Sequence, residues 1–129
     1  ENYQETFTKL HDCKKSSHPS GDHVVTWVNE IGHQAFAKGV TPMPAGAVFV
    51  KTQYSDSACS LLERYTAIEK GAAGSSPDSG DWKWFILDSG GGVRTCCDGG
   101  DSQATDSCIG CHSPCAGNDF VCTTPLAKP

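Results

Sequence analysis

The chain has 129 residues, a formal net charge of −5 and eight cysteines. A single domain of this length, 1–129, buries roughly two-thirds of its unfolded surface, which is enough to form a hydrophobic core. The acidic balance argues against nucleic acid or an anionic membrane as partner, and no run of about 18 apolar residues offers a membrane span.

The chain opens at Glu1 with neither methionine nor an apolar leader, as expected where an export signal has been removed or left out. His23-Val24-Val25-Thr26-Trp27-Val28 is β-branched and aromatic and predicts a strand. Asn29 follows as an N-cap for a short helix over Glu30 to Lys38, with Gly39 as its C-terminal stop. Thr41 to Gly46 contains two prolines and reads as a turn, Ala47 to Tyr54 as the clearest strand, and Ser55-Asp56-Ser57 as a polar turn. Leu61 to Glu69 fits strand or helix by pattern; Tyr65, Thr66 and Ile68 favour strand. A Gly/Ser/Pro loop over Gly71 to Gly80 precedes an aromatic strand from Trp82 to Leu87. Glycine clusters at Gly90 to Gly92 and at Gly99-Gly100 mark turns on either side of Cys96-Cys97. With no internal repeat and no linker, the expected fold is mainly β (α+β): an antiparallel sheet with a few short helices.

Near the C-terminus the chain reads Cys108-Ile109-Gly110-Cys111-His112. C-x-x-C-H is the attachment pattern of c-type haem: each thiol adds to one vinyl group, and the adjacent imidazole becomes the proximal iron ligand. Chance placement of these cysteines and histidines would produce such a pentapeptide in only about 2 % of shuffled chains. A zinc site would need a second closely spaced pair, which Cys115 and Cys122 do not supply. The expected cofactor is therefore one covalent haem c per chain, held by Cys108, Cys111 and His112, with the motif on a short helix packed against the sheet.

Six cysteines remain: Cys13, Cys59, Cys96, Cys97, Cys115 and Cys122. Three disulfides are the simplest reading, with 15 possible connectivities; a pool of free thiols is the alternative. Haem attachment and cysteine density both point to a periplasmic or secreted protein.

Most small electron-transfer cytochromes are helical, with the haem motif early and a methionine later. Here the motif comes after several strands, and Met43, the sole methionine, precedes it. The order disfavours a His/Met electron carrier.

Five blocks in sequence resemble the cytochrome P-460 family, which includes the β-sheet cytochromes c-prime-beta. They are Asn2 to Phe7, His23 to Asn29, Gly46 to Lys51, Gly80 to Phe85, and Cys108 to His112 followed by Asn118-Asp119-Phe120-Val121. The resemblance implies an antiparallel sheet, a homodimer, and a largely five-coordinate haem against the sheet with its open iron position facing it. It also implies chemistry on hydroxylamine or nitric oxide, with a redox-partner protein for a catalytic member. Non-catalytic relatives bind nitric oxide or carbon monoxide, and a plain electron-transfer role trails both.

In catalytic relatives the lysine matching Lys51 is bonded to the porphyrin. Strand alternation puts Ala47, Phe49, Lys51 and Gln53 on one face, with Val48, Val50, Thr52 and Tyr54 on the other. If the first face meets the cofactor, Phe49 walls the pocket and Lys51 reaches the ring. Otherwise Lys51 is solvated and the valines are core. Catalytic relatives also carry an acidic residue shortly before the haem cysteines as a proton acceptor. Gln103 stands five positions before Cys108, and an amide cannot titrate. Asp101 and Asp106 flank it as substitutes, Asp106 being better suited to capping a helix. His11, His18, His23 and His33 read as surface or strand-edge residues, and Trp27, Trp82 and Trp84 as core or interface residues.

Overall fold

The computed structural model describes residues 3–15, 23–40, 42–75, 80–90 and 93–94. A 3-10 turn at Tyr3–Glu5 leads into β1 (Thr8–Lys9), β2 (Lys14–Lys15), β3 (His23–Val28) and the helix α1 (Glu30–Lys38). Strands β4 (Val48–Tyr54), β5 (Leu62–Lys70), β6 (Trp82–Asp88) and β7 (Val93–Arg94) follow. The described strands form one antiparallel sheet ordered β1-β3-β4-β5-β6-β7, with β2 also pairing with β3.

The mainly β expectation holds, and so do its local signals. The helix begins at Asn29, whose extended backbone and side-chain oxygen, accepting from Gly32 N–H at 3.1 Å, form the cap. It ends at Gly39, which takes the left-handed conformation (φ 67°) that an L side chain resists. Leu62–Lys70 is strand rather than helix. The two-residue strands β1, β2 and β7 carry no alternation pattern and were not expected; the pairing of β1 and β2 with β3 creates them.

Helix α1 comes down on the sheet at Gly32. A Cβ there would lie 2.7 Å from Cγ2 of Val28, so a larger residue would push the helix away. Beneath it lies the core: Leu10, Val28, Ala35, Phe36, Met43, Ala47, Phe49, Trp82 and Trp84, with Ile68 packed against them. Phe49 is its centre, meeting Phe36 at 5.9 Å and Trp82 at 6.0 Å, both edge-on.

Register sorts the side chains into rows. Val28, Phe49, Ile68 and Trp84 form the row under the helix. The next row on that face is Thr26, Lys51, Thr66 and Ile86, and the one beyond it carries Val24, Gln53 and Arg64. The opposite face carries Trp27, Val50, Ala67 and Phe85, then Val25, Thr52, Tyr65 and Leu87.

A disulfide joins Cys13 to Cys59, across 46 positions, tying the segment before β2 to the β4–β5 turn. That turn is built by Asp56, whose carboxylate accepts from the backbone N–H groups of Ser60 and Leu61, both at 2.9 Å, and from the Ser60 hydroxyl. These bonds, led by that of the Ser60 side chain, hold the Asp56 carboxyl below its ordinary value. Cys96, Cys97, Cys115 and Cys122 lie outside the described residues, as does the expected helix carrying the haem motif.

Candidate functional site

Lys51 is placed by β4 on the same face as the core, one row beyond Phe49. Phe36 of the helix covers Phe49, whereas Lys51 is half-buried. Its row neighbours are two threonines and an isoleucine, none of which can compensate an ammonium with charge. Among the described residues no hydrogen bond or ion pair reaches its amine. Burial, and secondarily the positive charge of Lys14, push the Lys51 pKa below that of an ordinary lysine. A lysine so placed has a larger neutral fraction and is a better nucleophile.

His11 lies beside this row. Its ring Nδ1 is 2.7 Å from the carbonyl oxygen of Asp12, and its Nε2 is 2.9 Å from Oγ1 of Thr26, a nearly fully buried threonine. Thr26 is the cross-strand partner of Lys51. Burial lowers the His11 pKa; the bond to Asp12 opposes this, and the charges of Lys14 and Lys51 add to the lowering. The sequence reads His11 as a surface or strand-edge residue, and it stands half-buried just past β1. Its bond to Thr26 has no local signal, because the partner lies 15 positions away and the contact exists only once Leu10 N–H bonds to the Thr26 carbonyl at 2.8 Å.

Phe49 shares the Lys51 face, but its ring is enclosed by Phe36 and Trp82. Met43 is buried in the same cluster. Trp82 and Trp84 are core residues, whereas Trp27 lies on the opposite face, half-buried, its indole N–H without a hydrogen bond among the described residues. His23 stands at the start of β3, and its Nδ1 atom is buried with no hydrogen bond among the described residues.

Val48 and Val50 line a half-open cavity of about 570 Å³ on the opposite face, with Tyr65, Phe85 and Leu87 on its floor. Tyr3 and Phe7 also line it, and Tyr3 makes edge-on contacts with Trp27 at 5.8 Å and Tyr65 at 5.9 Å. Burial pushes the Tyr3 hydroxyl up to about 12, against the opposing hydrogen bond from Gln4.

Asp101, Gln103, Asp106, Cys108, Cys111 and His112 lie outside the described residues. Among the described residues, no three His, Cys, Asp or Glu side chains converge as a metal site, and no helix is long and apolar enough to cross a membrane.

Among the described residues, an antiparallel sheet with one α-helix on one face separates this protein from the helical cytochromes and makes it a mainly β protein with a desolvated amine on its inner face. The family described as Cytochrome P460 matches residues 1–123, and the chain belongs to that family. Membership makes it a cytochrome and makes haem its cofactor. A comparison with curated proteins found no match. The Lys51 site is compatible with that cofactor: the surroundings of this amine penalise its charge, and packing against, or bonding to, a largely apolar macrocycle would use the neutral form.

Proposed function

We propose that this chain is an extracytoplasmic haem c protein that oxidises hydroxylamine or handles a related small nitrogen species at an open iron position. Cys108 and Cys111 would hold one haem per chain through thioether bonds, and His112 would be its proximal ligand. Bound haem would supply a redox-active iron with an axial position for a small nitrogen ligand. The observation that carries the reading is Lys51: half-buried, unpaired among the described residues, and shifted toward the neutral amine. Family membership and the C-x-x-C-H motif support it. The Cys13–Cys59 disulfide supports export to an oxidising compartment. A redox-partner protein would accept the electrons, and a second copy of the chain is the proposed subunit partner.

Gln103 favours one second reading. Without a carboxylate at that position, the chain would bind nitric oxide or carbon monoxide without turning over hydroxylamine.

The ferrous absorption spectrum tests the choice. A Soret band displaced far to the red of an ordinary c-type haem, together with steady hydroxylamine oxidation, supports the enzyme. An ordinary c-type band and no turnover, with retained gas binding, leave the second reading. Intact mass after acid extraction checks haem attachment, and haem lost to the solvent would overturn the covalent assignment.

A further inference from the structure

The sheet face that turns away from Lys51 carries a concave site of its own. Its half-open cavity of about 570 Å³ falls in the size class of small-molecule sites, which are mostly apolar with a few placed polar groups. Four of the lining side chains are aromatic: Tyr3, Phe7, Tyr65 and Phe85. One lining side chain is charged, that of Glu69. We propose that this cavity binds an organic cation of the alkylated ammonium class, held between the aromatic rings and the Glu69 carboxylate. The proposal goes beyond the haem reading and does not depend on it.

Two parts of the chain build the walls. Register sets Phe85 beside Ala67 on the sheet, with Tyr65 one row along on the same face. The N-terminal 3-10 turn brings the other two rings. The Tyr3 carbonyl accepts from the N–H of Thr6 at 3.1 Å and of Phe7 at 2.7 Å, so both aromatic side chains leave one tight turn. Tyr3 then meets Phe7 and Tyr65, each at 5.9 Å, with interplanar angles of 63° and 86°. Rings set at such angles form a corner rather than a flat stack. The face of each ring is the negative part of its quadrupole, which attracts a cation and repels an anion.

Charge selects the occupant. Glu69 is exposed, two positions from Ala67 on the same face, and stands opposite Lys83 in register. Among the described residues no ion pair closes between the two, and no hydrogen bond reaches the Glu69 carboxylate. Burial pushes the Tyr3 hydroxyl up to about 12, so near neutral pH that phenol adds no charge. The aromatic faces and the carboxylate therefore agree in sign, and the net charge of −5 acts in the same direction. A strongly hydrated cation would lose its water shell unfavourably against these apolar walls. Alkyl groups on the nitrogen remove that difficulty, because they shed water readily and pack against apolar side chains.

The test titrates the haem-containing chain with choline and with 3,3-dimethyl-1-butanol, its neutral analogue with carbon in place of nitrogen. Calorimetry in low-salt buffer reads both affinities. Choline should bind about tenfold more tightly than the alcohol. Glu69→Gln and Phe85→Leu should each weaken choline by about fivefold and change the alcohol by less than about twofold. Glu69 is exposed, so its amide variant keeps the fold even if Phe85→Leu does not. Equal affinities for the two ligands overturn the proposal, since the cavity would then be merely apolar. A Glu69→Gln protein that binds choline as tightly as the wild type overturns it too. So does the lack of saturable choline binding; if Phe85→Arg then turns a dimeric protein into a monomer, the face belongs to a second copy of the chain. The readout uses neither hydroxylamine turnover nor the haem spectrum, so either reading can fail while the other stands.

Discussion

Asn29 and Val48 are joined by a reciprocal pair of hydrogen bonds. The backbone N–H of Asn29 donates to the Val48 carbonyl at 3.0 Å, and the Val48 N–H donates to the Asn29 side-chain oxygen at 3.0 Å. The same oxygen caps α1 at Gly32, and the side-chain amide donates to the Gly46 carbonyl at 2.8 Å. One residue thus sets where the helix starts and where β4 starts, and so which residues of β4 face inward. Asn29→Ala should cost about 2–3 kcal/mol in urea unfolding, more than a simple cap, because three partly buried bonds are lost together. Asn29→Asp keeps the acceptor and loses only the donor to Gly46, so its cost should be about half as large. Equal losses would show that the acceptor is not the important half of the amide.

The two faces of β4 should respond unequally to truncation. Phe49→Ala removes a ring enclosed by Phe36 and Trp82 and should cost about 3–5 kcal/mol. Val50→Ala opens onto the cavity beside Tyr65 and Phe85 and should cost about 1.5 kcal/mol. Denaturant midpoints at unchanged m-values give the comparison. Equal costs would mean that the enclosed core is not centred on Phe49.

Replacing Cys13 and Cys59 together by serine should lower stability by about 2–4 kcal/mol, given the 46-residue separation. Treating the wild type with a thiol reductant should reproduce most of that loss. The measurement is the thermal midpoint with and without reductant. A midpoint in the serine variant equal to that of the oxidised wild type would show that this bond contributes nothing.

Tyr3 makes an alkaline prediction. Its folded pKa is raised from 10.0 to about 12, so burial favours the protonated phenol. The resulting stability is fully present below pH 10 and is lost as pH rises through about 12. Relative to Tyr3→Phe, the wild type should lose stability across that window. Phenolate absorbance at the red edge of the tyrosine band should show a late step that the variant lacks.

Lys51 has the opposite dependence. Its folded pKa is lowered, so between that value and 10.5 the unfolded chain binds more protons and stability rises with pH. Lys51→Met, which keeps the bulk without the charge, should be the more stable protein near neutral pH. Its advantage should shrink as pH approaches 10.5. Parallel stability curves for the two proteins would mean that the amine is not desolvated in the folded state.

Much of this protein is written locally in its chain. The strands over His23–Val28, Val48–Tyr54, Leu62–Lys70 and Trp82–Asp88 follow from β-branched and aromatic side chains, which act within a few residues of themselves. The helix between Asn29 and Gly39 follows from a cap and a stop that need only their own turn. The five blocks that resemble the cytochrome P-460 family were equally legible, and family membership agrees with them.

Alternation along β4 divides Phe49 and Lys51 from Val48 and Val50, but a period of two cannot say which face is covered. The tertiary structure decided that, by docking α1 through Gly32 onto Val28 and enclosing Phe49 while leaving Lys51 half-buried one row beyond. It also joined Cys13 to Cys59, which leaves three of the 15 possible sets of pairings, and it set His11 against Thr26 beside Lys51. The His11–Thr26 and Cys13–Cys59 contacts join residues 15 and 46 positions apart. They depend on strand register and on the path of the chain between elements, which no local propensity carries.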